Sequence, residues 1–362
     1  MGIWKETAAV STAALLGLFL LPLALAREPA EAAAAPEEAA ADPLPEAAAA
    51  AQEAPQPVRD HEKMLRVLRG ATICEMALDD YLVGVTAAEM PASFETEALK
   101  AQAVAARTYT LYKLTSGSNH GDTADICTDS ACCQAYISME DARADWGAQA
   151  DAMEARIRNA VTGTDGEAIL YGGVPILAVF HSSTDRFRLG NGPLLYAWSK
   201  TDSSSAGLTR AAGQVWQNDL PYLQPVDSPE MSDSIPNYYS RVEFTPEVLR
   251  GKLLAKIPQA DLSGDRRTWL KDAVRDSAGS VETVEVGGAV VKGGTVRAAL
   301  GLRSACFEWE LQDGRFVFYV TGHGHGVGLS QYGANAMAES GADYKMILTH
   351  YYTGVTVAVY NG

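Results

Sequence analysis

The chain has 362 residues, 47% hydrophobic and 20% charged, the balance of a globular protein with a real core. Lys and Arg total 29 against 45 Asp and Glu, a formal net charge of −16. That acidity argues against a nucleic-acid binder, because affinity for phosphate backbones comes from clustered cations.

Residues 7–26 carry no charge and centre on Leu15, Leu16, Leu18, Phe19, Leu20 and Leu21. Twenty apolar residues in a helix rise about 30 Å, one bilayer core. Residues 1–26 are therefore expected to serve as a signal anchor or a signal peptide, and Ala24-Leu25-Ala26 offers a cleavage pattern for the second reading. Residues 27–63 hold nine acidic and three basic side chains, and Pro29, Pro36, Pro43, Pro45, Pro55 and Pro57 would interrupt any helix there. An extended, self-repelling linker fits that composition. Residues 64–362 show no second linker and read as one compact unit, long enough to be bilobal.

Within that unit, 65–71 and 75–78 read as a hairpin. Asp79 or Asp80 can cap a helix through Tyr81, Leu82, Val85 and Ala88, ending near Glu89 because Pro91 disfavours helix at Met90. A second helix opens after Ser93 with Glu95 and Glu97 in its first turn and stops before Gly117. Residues 141–161 predict a third helix, and 168–181 a hairpin turning at Gly172-Gly173. Strands at 281–291 and 316–321, helices at 330–339 and 344–352, and a strand at 355–360 complete the pattern. Strands and helices without a regular βαβ rhythm indicate an α+β fold.

Several constellations can carry chemistry. Glu89 in the last turn of a helix meets unpaired carbonyls and apolar neighbours, and both keep a carboxyl protonated, as a general acid requires. Arg107 and Tyr109 project from an alanine-rich helix. In Gly322-His323-Gly324-His325-Gly326-Val327-Gly328-Leu329-Ser330-Gln331-Tyr332-Gly333, alternate glycines allow close approach of a ligand or other backbone. Neither a dinucleotide fingerprint, a serine elbow nor a zinc-peptidase helix motif is present. His120, Cys127, Cys132 and Cys133 offer four nitrogen and sulfur ligands for a closed tetrahedral zinc site, with a disulfide from Cys127 to Cys132 or Cys133 as the alternative. Cys74 and Cys306 stand apart, as buried free thiols or one long-range disulfide.

Tyr81-Leu82-Val83-Gly84-Val85-Thr86-Ala87-Ala88-Glu89-Met90-Pro91, the 97–109 helix, Phe180-His181-Ser182-Ser183 and the 324–334 glycine loop occur in an order that resembles the stage II sporulation protein D family and its amidase-enhancer relatives. The resemblance covers about residues 64–361. It implies a lytic transglycosylase that cleaves peptide-stripped peptidoglycan glycan strands to 1,6-anhydro-muramic ends during sporulation engulfment. Glu89 matches the catalytic glutamate. Arg107 matches the helix arginine and is expected to position substrate without a direct pair to Glu89. Tyr109, Ser182, His325, Ser330, Gln331 and Tyr332 are the other candidate substrate-binding residues, with His325 ranked above His323. The family also includes members with zinc near the cysteine loop, here a structural site. The implied partners are glycan strands, a peptidoglycan amidase and the cell membrane, crossed once, with the catalytic domain on the extracytoplasmic side. Residues 184–204 look like an insertion relative to the family pattern. Two other readings remain: a non-catalytic glycan-binding activator of an amidase, and a peptidase using Cys132 or Cys133.

Overall fold

The computed structural model describes residues 59–184, 207–216, 218–230 and 235–362. The expected anchor, the linker up to residue 58 and all of the expected insertion except Thr184 lie outside the described residues. Among the described residues, no helix is long and apolar enough to cross a membrane.

The predicted hairpin forms from β1 (Met64–Arg69) and β2 (Thr72–Ala77), registered Met64↔Ala77 through Arg69↔Thr72. Helix α1 (Leu78–Glu89) follows at once. Its N-cap is Ala77, so Asp79 and Asp80 sit inside the first turn instead of capping it. At the other end Met90 is extended, φ −130° and ψ 134°, as a residue before proline must be. Helix α2 (Thr96–Ser116) is buried on every face from Ala98 to Leu111, which is why no amphipathic stripe marks it in the sequence. Its alanines let α1 and later elements approach closely.

Strand β3 (Ile126–Cys127) adds parallel to β1. The expected single helix over 141–161 is two, α3 (Met139–Trp146) and α4 (Ala150–Thr162), because Gly147 adopts φ 54° at the end of α3 and a 3-10 turn follows. The expected 168–181 hairpin is shorter than predicted. Only β4 (Glu167–Tyr171) and β5 (Val174–Pro175) make it, followed by one further backbone bond, from the Ile176 N–H to the Ile169 carbonyl at 3.1 Å. Strand β6 (Phe180–His181) leaves to pair elsewhere.

The carboxyl-terminal part holds more structure than periodicity indicates. Strand β7 (Gly207–Leu208) pairs with β8 (Asp227–Ser228). Strand β9 (Tyr239–Phe244), helix α5 (Pro246–Lys256) and strand β10 (Leu270–Arg275) follow. The single strand expected at 281–291 is a hairpin of β11 (Val281–Val286) and β12 (Ala289–Lys292) turning at Gly287-Gly288. Next come α6 (Gly293–Leu300), β13 (Phe307–Gln312) and β14 (Arg315–Thr321). Phe244, Leu249, Leu253, Val284, Phe307 and Phe318 centre a second hydrophobic core here, separate from the first core around α2. Two cores give physical content to the bilobal expectation.

The chain then returns to the first core through β15 (Leu329–Ser330), α7 (Gln331–Glu339), α8 (Tyr344–Tyr351) and β16 (Thr356–Val359). The folded unit begins ahead of the predicted boundary at residue 64. A 3-10 turn, Asp60–Glu62, buries Asp60 against Arg107.

Candidate functional site

Glu89 closes α1, so its side chain leaves the helix where the chain turns away at Pro91. Its Oε1 accepts the Ala135 N–H at 2.8 Å. Burial pushes this carboxyl above its ordinary range, outweighing the Ala135 N–H and the Gln331 amide, which both favour the anion. The carboxyl opens on a cleft of about 460 Å³ whose walls include Tyr109, Gln134, His181, Ser182, His323, His325 and Gln331. Glu89 is the sole carboxylate among its described lining residues.

The far wall joins segments distant in sequence. Strand β6 pairs in parallel with β15, Phe180↔Leu329 and His181↔Ser330, while Ser183 and His323 exchange backbone hydrogen bonds. Glycine is required twice in this loop. A Cβ on Gly328, at φ 73°, would lie 2.1 Å from the Val179 carbonyl oxygen, and one on Gly324, at φ 123°, 2.6 Å from the His181 Cβ. Arg210 anchors the same loop: its N–H donates to the Gly326 carbonyl at 2.7 Å, and its guanidinium forms a buried pair with Asp276 at 2.5 Å.

The three cleft histidines are held neutral by burial, reinforced by nearby cationic side chains. His181 is lowered to about 4, and His325 lies well below the ordinary range. His325 Nδ1 accepts the Val327 N–H at 3.1 Å and its ring lies 5.3 Å from Trp216. His323 Nδ1 faces the Arg303 guanidinium at 3.2 Å, which only donates.

The structure therefore gathers Glu89, Tyr109, Ser182, His325 and Gln331 at one cleft. Three predicted residues go elsewhere. Arg107 is fully buried on the opposite side of α2's helical turn: its guanidinium binds Asp60 at 2.7 Å, the Val161 carbonyl at 3.1 Å, the Glu167 carbonyl at 3.2 Å and Thr164 at 3.3 Å. Its donors are spent inside the protein, which corrects the expectation that it positions substrate. Ser330 caps α7 by accepting from the Gly333 N–H and donates to Glu230, so it too is structural. Tyr332 packs edge-on against Phe94, centroids 5.0 Å apart, and does not line the cleft.

Residues that sequence reasoning passed over include His181, Gln134, Asp60 and Glu230. His181 stood within the recognised Phe-His-Ser-Ser segment, and its burial distinguishes it from Ser182. Glu230 carries no local signal. Buried, it accepts from the Thr184 N–H, the Thr184 hydroxyl, Ser228 and Ser330, and Ser228 in turn meets the Tyr351 hydroxyl at 2.6 Å.

One edge of the cleft belongs to the cysteine loop. His120, Cys127, Cys132 and Cys133 place one ligand atom each within 4.8 Å of one another, a cluster that could hold a metal ion. The His120 Nε2 lies 3.6 Å from Cys132 Sγ and 3.7 Å from Cys133 Sγ, and the two sulfurs are 3.8 Å apart. Burial pushes the Cys133 thiol up to about 12 and raises Cys127, so a thiolate pair there requires a cation. None of the five cysteines is joined in a disulfide. Cys306 is buried, whereas Cys74 is only half-buried.

Residues 69–171 match the family model described as "SpoIID: Stage II sporulation protein". Stage II sporulation protein D of Bacillus amyloliquefaciens is 34% identical over 282 residues, covering 78% of this chain and 74% of the relative. The protein of the same name from Bacillus subtilis (strain 168) is 33% identical over the same coverage. The amidase enhancer of Bacillus subtilis (strain 168) is 27% identical over 326 residues, 77% of this chain and 40% of the relative.

Proposed function

The chain belongs to the stage II sporulation protein D family, and from that premise we propose that it is a lytic transglycosylase acting on peptide-stripped peptidoglycan glycan strands. The observation that carries the reading is Glu89: a lone, burial-raised carboxyl at the wall of a cleft with no second carboxylate among the described lining residues. Hydrolytic glycosidases ordinarily set two carboxyls across the bond. A transglycosylase needs one, because the substrate supplies the nucleophile. Protonated Glu89 gives its proton to the glycosidic oxygen as the C1–O bond breaks with oxocarbenium character. The muramic C6 oxygen then bonds to C1, and the Glu89 carboxylate takes the C6 hydroxyl proton, restoring the acid. Mass spectrometry of peptide-free strands treated with the protein tests this. Anhydro-muramic ends that vanish with Glu89→Gln are expected, and strands left intact by the wild type would refute it.

Zinc is the metal we assign to the cysteine loop. Zn–S bonds of about 2.3 Å and Zn–N bonds of about 2.0–2.1 Å set tetrahedral edges of roughly 3.8 Å between sulfurs and 3.5–3.6 Å between sulfur and nitrogen. The separations of 3.8, 3.6 and 3.7 Å fit those edges. His120, Cys127, Cys132 and Cys133 would hold the ion as a structural cross-link of the loop that carries Ala135 and Gln134 to the cleft.

The names of the relatives point to sporulation and to an amidase. In this reading the protein acts during engulfment alongside a peptidoglycan amidase that strips stem peptides, held at the cell membrane by residues 7–26 with its cleft on the wall side.

A further inference from the structure

Two buried acceptors in the cleft wall have no donor among the described residues: His181 Nε2 and Gln134 Oε1. Their side chains are almost wholly buried, His181 4% and Gln134 2% exposed. Each is oriented by what surrounds its other end. His181 Nδ1 lies 3.1 Å from the Val327 carbonyl oxygen, which can only accept, so Nδ1 carries the ring proton and Nε2 is a bare lone pair. Gln134 Nε2 lies 3.2 Å from Thr110 Oγ1, whose own proton goes to the Ala106 carbonyl at 2.9 Å. Thr110 must therefore accept, which fixes the amide nitrogen toward it and leaves Oε1 facing away. The Tyr81 hydroxyl, spent on the Cys127 carbonyl at 3.1 Å, also receives the Gln134 amide. The remaining cleft histidines differ, since Nδ1 of both His323 and His325 meets a donor within the protein.

Eight buried side-chain polar atoms lack a partner among the described residues, and these two alone belong to residues that line the cleft, both fixed as acceptors. We propose that His181 Nε2 and Gln134 Oε1 are specificity-determining acceptors for hydrogen-bond donors, hydroxyl or acetamido N–H, of the sugar ring seated beside Glu89. This rests on the glycan reading of the cleft and adds to it the selection of a donor-rich ligand. Acceptors already stripped of water favour a sugar that brings its own donors and disfavour one whose donors are blocked. Neutrality of His181 keeps Nε2 in its accepting form across the physiological range.

The test uses the full chain carrying Glu89→Gln, so that strands are bound and not consumed. His181→Asn keeps an amide N–H toward Val327 and deletes the Nε2 acceptor, and Gln134→Met deletes Oε1. Each is expected to weaken binding of amidase-stripped glycan strands about three- to tenfold, the worth of one neutral hydrogen bond. Because either variant could disturb packing, the 15N resonance of His181 Nε2 is followed with the native side chain in place. It should report a bare acceptor in the free protein and move upfield when strands bind. De-N-acetylated strands separate the two donors: retained binding with the same Nε2 response assigns a hydroxyl to His181, and its loss assigns the acetamido N–H. Strand binding with no Nε2 response and no effect of either variant would overturn this inference and leave the glycan reading intact. A Nε2 already hydrogen-bonded without ligand would also overturn it for His181. Absence of any strand binding would overturn both.

Discussion

Replacing Glu89 by Gln separates chemistry from folding in a way the structure makes quantitative. The Gln oxygen can keep the 2.8 Å bond from the Ala135 N–H. The new amide nitrogen faces Gln331, whose own nitrogen donates to Gln102 Oε1 at 3.3 Å. Rotation of both glutamine amides turns acceptors toward donors along that chain, and the Gln102 Nε2, unpartnered in the present arrangement, gains a place in it. The structural cost is therefore about one neutral hydrogen bond or less, ~1 kcal/mol. Loss of the acid should cost about 10²–10⁴-fold in turnover, roughly 2.7–5.5 kcal/mol of barrier. Stability should depend on pH with a definite sign. The folded-state pKa of Glu89 is raised, so its contribution is complete below the unfolded-state value and is lost as pH rises through the folded-state value. Glu89→Gln should then melt level with the wild type near pH 4 and at or above it at pH 7.5. Melting curves at both pH values, with anhydro ends counted by mass spectrometry, provide the readouts. Turnover above about a tenth of wild type, or a variant less stable than wild type by more than ~1 kcal/mol at neutral pH only, would refute the reasoning.

Arg107→Lys keeps a charge for Asp60 and strips donors from the Val161 and Glu167 carbonyls, so stability should fall by about 1–3 kcal/mol while activity per folded molecule is kept. Lost activity with unchanged melting would return Arg107 to the substrate. Cys127→Ser should abolish a copurifying equivalent of zinc, measured by plasma emission, and lower the melting temperature. A metal-free wild type of full stability would remove the assignment. Glu230→Leu leaves the Thr184 N–H and three hydroxyls without their acceptor and should destabilise the fold by at least ~3 kcal/mol, read from urea titration.

Local physics was legible where one residue type dictates one backbone state. Pro91 placed the end of α1, Gly117 the end of α2, and Ser330 the start of α7, each within a residue of its observed position. Pairing at a distance was not. The parallel match of β6 to β15 depends on residues about 150 positions apart, and Phe180 and His181 alone extend a hairpin just as well. Much of the second core was missed although β13 carries a plain period of two, Phe307, Trp309 and Leu311 alternating with Glu308, Glu310 and Gln312; β10, irregular in register, carries no such signal. Arg107 failed for a different reason. A cation on a helix of small residues reads as projecting into a cleft, and only the burial of Asp60, in a segment composed like a linker, shows where the guanidinium goes.

Two glutamates, Glu230 buried and Glu89 half-buried, show how the same side chain takes different work from its surroundings. Glu230 is enclosed by the Thr184 N–H and the hydroxyls of Thr184, Ser228 and Ser330, so its lone pairs are committed to joining three chain segments behind the cleft. Glu89 receives one backbone N–H and the neighbouring Gln331 amide, and otherwise faces open space. A carboxylate saturated by protein donors has no position left for a reacting oxygen. One held by two donors and partly desolvated keeps lone pairs free and can both release and recover a proton. Donor count and burial thus leave Glu230 to the architecture and support the proposed role of Glu89 at the end of α1.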